Sequence, residues 1–207
     1  MDKLSDFRQD YQRGELNYTD LPKAPLSLFE NWLQTAIDES VLEPNAMILS
    51  TVTDKQPHAR VVLLKGLDDN GLVFFTNYNS SKGKELTANP AASLLFFWPE
   101  LQRQVRIEGT ITKTSEEESD TYFYSRPKGS QAGAIASPQS EKIKSRDELD
   151  LAASEAEKGI LRRPIHWGGY RLSPNYYEFW QGRSNRLHDR FSYQKNADNW
   201  DIHRLAP

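Results

Sequence analysis

AASLLFFWPELQRQVRIEGTIT, residues 91–112, contains two short runs rich in β-branched and aromatic residues, 91–98 and 103–112. Such runs are typical of β-strands. The connection between them is too short for a helical crossover, so the two runs are expected to pair in antiparallel fashion. The side chains of residues 94–98 are expected to lie in the protein core.

The same pattern continues on both sides of this stretch. Turn signals such as Asp54-Lys55-Gln56-Pro57 and Asp68-Asp69-Asn70-Gly71 separate the upstream runs. Because no long helix lies between these runs, the sequence predicts a mainly β fold, an antiparallel sheet or barrel with flanking helices. The remaining predicted strands cover residues 46–52, 59–67, 72–76, 167–172, 176–181, 190–194 and 200–205.

Helix signals flank the predicted strands. A helix is expected from Pro25, because apolar residues recur at helical spacing after it. Capping boxes that begin at Ser115 and Ser145 predict two more helices, which extend to about Ser125 and to Lys158. We therefore expect helices at the margins of the sheet.

The length of the chain limits its organisation. At 207 residues it is long enough for one domain with a substantial core. We expect an N-terminal arm over residues 1–24, formed by a short helix and an extended segment, and a single domain over residues 25–207. Residues 126–140, rich in Gly, Ser, Gln and Pro, are predicted to form a loop.

Charge and cysteine content exclude several classes of function. The chain has 26 Lys and Arg against 29 Asp and Glu, a formal charge of -3, so it lacks the broad positive surface that binds nucleic acid. It has no cysteine, which excludes disulfides and thiolate chemistry. No segment has the length and apolar character needed to cross a bilayer, so we expect a soluble, cytoplasmic protein that binds no membrane.

Residues 178–190, EFWQGRSNRLHDR, concentrate charged and aromatic side chains. Arg183, Arg186 and Arg190 lie within a few positions of His188 and Trp180. Arginines so close together repel one another and lose hydration when enclosed, which favours a planar, anionic ligand beside them. The alternative is a solvated surface turn between two strands.

Other segments offer complementary groups for a phosphate or a heterocycle. Hydroxyls and lysines in residues 76–84 precede a helix expected near Ser81, and a helix N-terminus favours anions. Each segment taken alone also fits an ordinary strand or loop. His58, His166, His188 and His203 lack metal-ligand spacing, so no metal site is expected. The candidate side chains outside residues 178–190 are Arg60, Lys65, Lys82, Gln104, Tyr122, Arg126, Lys128 and Ser130.

Taken together, these segments resemble the pyridoxine (pyridoxamine) 5'-phosphate oxidase family. The resemblance covers nearly the whole chain in order. The matching pieces are residues 60–65, Phe75-Thr76, Ser80-Ser81-Lys82, Arg103-Gln104-Val105, Tyr122, Arg126, Ser130, Gln139-Ser140, Trp167-Gly168-Gly169, Phe179-Trp180-Gln181-Gly182 and Arg186-Leu187-His188-Asp189-Arg190.

The resemblance implies a homodimer of split β-barrel subunits that hold FMN at their interface. The residues it implies for FMN are Arg60, Val61, Val62, Leu63, Leu64, Lys65, Phe75, Thr76, Lys82, Gln104, Gln139, Ser140, Trp180 and Arg190. The residues it implies for the substrate phosphate are Lys65, Tyr122, Arg126 and Ser130. Those it implies over the pyridine ring are Arg186, Leu187 and His188.

The implied reaction converts pyridoxine 5'-phosphate and pyridoxamine 5'-phosphate to pyridoxal 5'-phosphate, a step of vitamin B6 biosynthesis and salvage. Hydride passes from C4' to N5 of FMN, and O2 reoxidises the flavin to give H2O2. His188 is expected to assist proton removal near C4', and Arg186 to orient the ring and stabilise its phenolate oxygen. Ser81 stands where the family often has an arginine, and Glu43 where some members place an acidic residue near the substrate.

Two alternatives remain at this point. Another flavin oxidase of the same superfamily would act on a different heterocycle and alter Arg186-Leu187-His188. A non-catalytic carrier would bind flavin or vitamin B6 phosphates without turnover.

Overall fold

A computed structural model describes residues 3–7 and 9–207. The described residues form a mainly antiparallel β sheet with helices, as predicted. The strands are β1 (Ala46–Thr53), β2 (Gln56–Leu63), β3 (Gly66–Asp68), β4 (Gly71–Asn77), β5 (Ala91–Trp98), β6 (Arg103–Lys113), β7 (Trp167–Gln181), β8 (Asp189–Asn196) and β9 (Asn199–Leu205). The helices are α1 (Pro25–Asp38), α2 (Ser81–Ala88), α3 (Glu116–Ser125), α4 (Lys128–Ala136) and α5 (Arg146–Lys158).

The strands hydrogen-bond in the order β2-β1-β5-β6-β7-β4-β3, with β8 beside β7 and β9 beside β8. β5 and β6 are neighbours, which confirms the pairing expected from residues 91–112. The hairpin between β3 and β4 pairs Asp68 with Gly71. Gly71 has φ +134°, and a Cβ there would lie 1.9 Å from the carbonyl oxygen of Leu172, so the turn requires glycine.

Two compact units account for the chain. The first contains the chain up to Leu49, Ser93–Glu108 and Pro174–Pro207. Its core includes Phe29 and Trp32 of α1: the ring centroid of Phe29 lies 4.8 Å from that of Phe96, and Trp32 meets Phe179 edge-on at 5.3 Å. Aromatic pairs of this kind add to the apolar burial that holds the unit together.

The second unit contains Ser50–Ala92 and Gly109–Ser173. Its core includes Phe74 and Tyr170, which face each other across β4 and β7 with ring centroids 5.7 Å apart. The prediction of a single domain over residues 25–207 stays a prediction.

Burial along β5 differs from the prediction for residues 94–98. Leu94, Phe96 and Trp98 are buried, but Phe97 is 51% exposed. Successive side chains of a strand point to opposite faces, so a continuous apolar run does not bury every member.

β7 is one strand where the sequence predicted two. Its first part pairs with β4 through Leu172, and its last part pairs with β8 from Tyr176. Pro174 falls between these paired stretches, so its missing N–H removes no hydrogen bond from either ladder. The predicted strand over residues 59–67 is instead divided between β2 and β3.

One further prediction of local structure was wrong. Residues 126–140 contain α4, in which Gln131 and Ala132 are buried. Alanines in this segment favour a helix and outweigh its glycines. In the N-terminal arm, where a short helix and an extended segment were expected, the described residues include two short 3₁₀ helices, Leu4–Asp6 and Tyr18–Asp20.

Across the described ranges, no helix combines the length and apolar composition required to cross a membrane.

Candidate active site

A cationic cleft in the second unit contains many of the predicted phosphate and flavin contacts. It encloses ≈ 320 Å³. The described residues that line it include three cations, Lys65, Lys82 and Arg126, and no carboxylate. A concave surface with this charge attracts anions. Its lining consists of Val61, Val62, Leu63, Lys65, Phe75, Thr76, Lys82, Tyr122, Arg126, Gln139 and Trp167.

Lys82 lies in the first turn of α2, which is capped by the side chain of Ser80. Its Nζ donates hydrogen bonds to Thr76 Oγ1 at 3.2 Å and to Gln139 Oε1 at 3.0 Å. Burial, reinforced by the nearby charge of Arg60, lowers the pKa of Lys82. Both acceptors are neutral, so the ammonium group can interact with an anion in the cleft.

Arg126 connects α3 to α4 and stacks on an aromatic ring. Its Cζ lies 4.8 Å from the centroid of Trp167. Burial lowers the pKa of Arg126, with Tyr122 acting in the opposite direction. Within the described part of the chain, its buried Nη1 has no hydrogen-bond partner. A buried guanidinium N–H without an acceptor is costly, and an anionic oxygen from a ligand would satisfy it.

Ser130 lines a cavity of ≈ 330 Å³ that shares Arg126, Gln139 and Trp167 with the cleft. The sequence placed Ser130 in a loop, but it lies in the first turns of α4. The helix brings its hydroxyl to the same cavity as Arg126, four residues earlier in the chain.

A flat aromatic stack forms one wall of the cleft. The ring of Phe75 lies 3.9 Å from that of Tyr122 and 5.7 Å from that of Trp167, measured between centroids, with interplanar angles of 21° and 14°. Phe75 faces Gly169 across β4 and β7. A Cβ on Gly169 would lie 2.8 Å from Phe75 Cε1 and 2.5 Å from Thr114 Oγ1. Glycine at this position therefore allows the stack to form.

Substituting Gly169 with alanine is expected to displace Phe75 and to lower the free energy of unfolding by roughly 1–3 kcal/mol, as overpacking usually does. Gly129→Ala is the matched control, because a Cβ at Gly129 meets nothing within 4 Å and alanine favours the helix. Chemical denaturation of both variants measures the difference. Equal stability of the two variants would contradict the close approach at Gly169.

Some residues implied for FMN lie outside the lining of this cleft. Arg60 donates from Nη1 to Thr51 Oγ1 at 2.7 Å and from Nη2 to Glu85 Oε2 at 2.6 Å. Leu64 is buried, and Ser140 is exposed with φ 74°. Arg60 is thus held by a carboxylate that sequence reasoning did not identify.

A second cavity, of ≈ 630 Å³, lies in the first unit and is lined by Arg186 and His188, two of the three residues implied over the pyridine ring. Sequence reasoning missed Asp10 and Tyr11, which also line it, because they lie in the N-terminal arm, far in sequence from residues 178–190. Its lining consists of Phe7, Gln9, Asp10, Tyr11, Trp180, Arg183, Asn185, Arg186 and His188.

His188 lies against two aromatic rings in this cavity. Its ring centroid is 4.7 Å from that of Trp180 and 5.7 Å from that of Tyr11. Its Nδ1 accepts a hydrogen bond from the backbone N–H of Arg183 at 3.1 Å. Burial, followed by the charge of Arg186, lowers the pKa of His188, so the neutral imidazole is favoured at pH 7.

Arg190 is held by the chain itself. Its Nε and Nη2 lie 2.8 Å and 2.7 Å from Glu178 Oε1, and Arg106 pairs with the other oxygen at 2.8 Å. Burial alone would raise the pKa of Glu178, but hydrogen bonds from Arg106 and Arg190 outweigh it and lower the pKa. Gln104, also implied for FMN, is half-buried in β6, the strand that neighbours β7.

Two arginines of residues 178–190 have carboxylate partners within the chain, which the sequence did not predict. Arg190 pairs with Glu178, and Arg183 pairs with Asp189 at 3.0 Å. Arg186, in contrast, makes no ion pair with any residue that the structure describes. Its charge therefore remains available to a ligand.

The remaining predicted residues are more peripheral. Leu187 is 70% exposed, Glu43 is exposed with φ 47°, and neither lines the two cavities. The described residues contain no group of three His, Asp or Glu side chains suited to a metal. Most of the predicted site residues thus line a cavity in one unit or the other.

Sequence comparison identifies two family regions. The profile described as pyridoxamine 5'-phosphate oxidase matches residues 33–158. The profile described as the pyridoxine 5'-phosphate oxidase C-terminal dimerisation region matches residues 167–207.

Full-length relatives agree with these matches. The pyridoxine/pyridoxamine 5'-phosphate oxidase of Paraburkholderia phytofirmans is 52% identical over 213 residues, and both chains are covered completely. The protein of the same name from Thermosynechococcus vestitus is 53% identical over 211 residues, again with complete coverage of both.

Solved structures have a similar fold. PhzG from Burkholderia lata 383, in complex with tetrahydrophenazine-1-carboxylic acid, superposes with a TM-score of 0.90 at 35% identity, covering 96% of this chain and 100% of PhzG. A pyridoxamine 5'-phosphate oxidase-related, FMN binding protein from Nostoc punctiforme has a TM-score of 0.72 at 16% identity, covering 90% and 100%. The matched regions and the full-length identities place the chain in the pyridoxine/pyridoxamine 5'-phosphate oxidase family of enzymes.

Proposed function

We propose that this enzyme oxidises pyridoxine 5'-phosphate and pyridoxamine 5'-phosphate to pyridoxal 5'-phosphate, with FMN as cofactor, O2 as electron acceptor and H2O2 as product. Both the cofactor and these substrates combine a phosphate group with a flat heterocycle. The cationic cleft and the aromatic stack offer matching groups. Family membership supports the same reaction.

The unsatisfied Nη1 of Arg126 is the observation that carries the proposal for the substrate phosphate. It is buried beside Trp167, in a cleft whose described lining includes two lysines and no carboxylate. A phosphate oxygen would accept from this nitrogen and offset its desolvation. Lys65, Tyr122 and Ser130 would complete the phosphate site, because each lines the cleft or its adjoining cavity.

Lys82 is the proposed anchor for the phosphate of FMN. Thr76 and Gln139 already hold its ammonium group, so little side-chain entropy remains to be lost on binding. Bound FMN would supply the hydride acceptor at N5 and the reaction with O2. The other residues proposed for FMN are Arg60, Val61, Val62, Leu63, Leu64, Lys65, Phe75, Gln104, Ser140, Trp180 and Arg190.

Arg186, Leu187 and His188 are proposed to lie over the pyridine ring of the substrate. Arg186 has a charge that no described residue balances, and it would stabilise the phenolate oxygen of the ring. His188 lines the same cavity and lies against Trp180 and Tyr11. Arg186 and His188 are accordingly the proposed catalytic residues.

We further propose a cytoplasmic homodimer of split β-barrel subunits, with FMN at the interface. The match of residues 167–207 to a dimerisation region supports the dimer. So does the exposure of Val61, which is 65% exposed at the border of the cleft. Light scattering on a sizing column would measure the mass, and a monomer that still turns over would contradict an interfacial site.

The proposed function is tested by supplying purified protein with FMN and following peroxide. Stoichiometric yellow colour and peroxide formation with pyridoxine 5'-phosphate are expected. Binding of FMN without peroxide would indicate a carrier. Oxidation of tetrahydrophenazine-1-carboxylic acid, the compound bound to PhzG, in preference to the phosphate ester would indicate an oxidase for another heterocycle.

A further inference from the structure

The backbone around His188 determines which ring nitrogen carries the proton. The N–H of Arg183 donates to His188 Nδ1 at 3.1 Å. A backbone amide has a hydrogen to donate and no lone pair to accept with, so Nδ1 must be unprotonated. The proton of the neutral imidazole is therefore on Nε2.

The side chain of Arg183, the residue that supplies this amide, is held by two carboxylates. Arg183 Nη1 lies 3.0 Å from Asp189 Oδ2 and 2.8 Å from Glu15 Oε2. Asp189 is 7% exposed, and the same oxygen accepts from the backbone N–H of Leu16 at 3.1 Å. Asp189 is directly followed by Arg190 in β8, which is itself held by Glu178. These contacts keep the Arg183 amide in place.

The charge of Arg186 also disfavours protonation of the imidazole. Burial lowers the pKa of His188, and the charge of Arg186 lowers it further. Protonation would moreover place a hydrogen on Nδ1 and break the bond from Arg183. The Nδ1–H of the imidazolium would then face the N–H of Arg183, and two donors cannot form a hydrogen bond with each other.

We infer that His188 is held as the Nε2–H tautomer and donates a hydrogen bond to an oxygen of the substrate, instead of accepting a proton from it. This inference rests on the proposed function of the same site. It revises the role of proton acceptor expected from the sequence. Asp189, through Arg183, is a positioning residue for this donor.

Nitrogen NMR of histidine-labelled protein without flavin or substrate tests the tautomer. The chain has four histidines, and the signals that disappear in His188→Gln identify those of His188. At pH 7 we expect a pyridine-type shift for Nδ1 and a pyrrole-type shift for Nε2. The reverse assignment, or an imidazolium at that pH, would overturn the inference. This measurement needs no turnover, so its result is separate from failure of the proposed function.

Two substitutions test the donor role in the flavin-loaded enzyme. The amide N–H of glutamine can occupy the position of Nε2, whereas asparagine reaches the position of Nδ1. A donor role predicts that the kcat of His188→Gln stays within roughly tenfold of wild type, because one hydrogen bond contributes about that factor. The kcat of His188→Asn should be lower than that of His188→Gln. If kcat fell equally in both variants, by roughly 10²-fold or more, His188 would be acting as a base, and the donor role would be overturned. Equal melting temperatures and FMN content confirm that both variants are folded.

Discussion

Lys82→Met is expected to weaken FMN binding by roughly 10- to 100-fold. A hydrogen bond to a charged group contributes about 1.5–3 kcal/mol, and 1.4 kcal/mol corresponds to a factor of ten. The lysine is already positioned by Thr76 and Gln139, so its loss removes a preorganised cation. Quenching of FMN fluorescence during titration of the apoprotein measures the dissociation constant.

Lys84→Met is the matched control for Lys82. Lys84 is on the same helix two residues later, is exposed, and lines neither cavity. Its substitution removes the same formal charge, so any general electrostatic effect is shared. Equal FMN affinities for the two variants would mean that Lys82 does not contact the cofactor.

Arg126→Met is expected to reduce kcat/KM for pyridoxine 5'-phosphate by roughly 10²- to 10³-fold, mainly through KM, while FMN remains bound. The variant removes the donor proposed for the substrate phosphate, and truncating one partner of a buried charged pair costs about 2–5 kcal/mol. Its stability should change little. The lost stacking on Trp167 is offset because a buried N–H without an acceptor, at Nη1, is also removed.

Lys128→Met serves as the control for Arg126. Lys128 is an exposed cation at the start of α4 and lines neither the cleft nor its adjoining cavity. Steady-state kinetics of both variants with the same substrate give the comparison. An unchanged KM in Arg126→Met would contradict a phosphate site at this position.

The strands could be predicted because their signals are local. The runs in residues 91–112 are apolar and close together, and they form the neighbouring strands β5 and β6. The capping boxes at Ser115 and Ser145 likewise precede α3 and α5, and both serine side chains accept from a backbone N–H three residues later. Short-range hydrogen bonds and apolar periodicity were sufficient for these elements.

Tertiary contacts explain the elements that the sequence did not predict. α4 was missed because glycine and serine weaken the helical signal, whereas burial of Gln131 and Ala132 stabilises the helix in the fold. The continuity of β7 through Pro174 depends on which strands pair on each side of the proline. Neither the helix α4 nor the continuity of β7 can be predicted from a few consecutive residues.

The sequence predicted which types of residue form the candidate site, but it did not predict which carboxylates pair with the arginines. Lys82, Thr76 and Gln139 do meet, although Gln139 is far from the others in sequence. The buried carboxylates Glu178 and Asp189, however, gave no sequence signal that would mark them as partners of arginines. Acidic residues are usually exposed, so a single sequence does not show which of them are buried.

The preference for a phosphorylated substrate is the most direct test of the central claim that the cleft around Arg126 selects a phosphate ester for oxidation. Peroxide and aldehyde should be measured for the FMN-loaded enzyme with pyridoxine 5'-phosphate and with pyridoxine. We predict equimolar peroxide and aldehyde from the phosphate ester and a kcat/KM at least roughly 10³-fold lower for pyridoxine, because a site built to bind a charged group rejects a substrate that lacks it. Equal kcat/KM values for the two compounds, or no peroxide from either, would contradict the account.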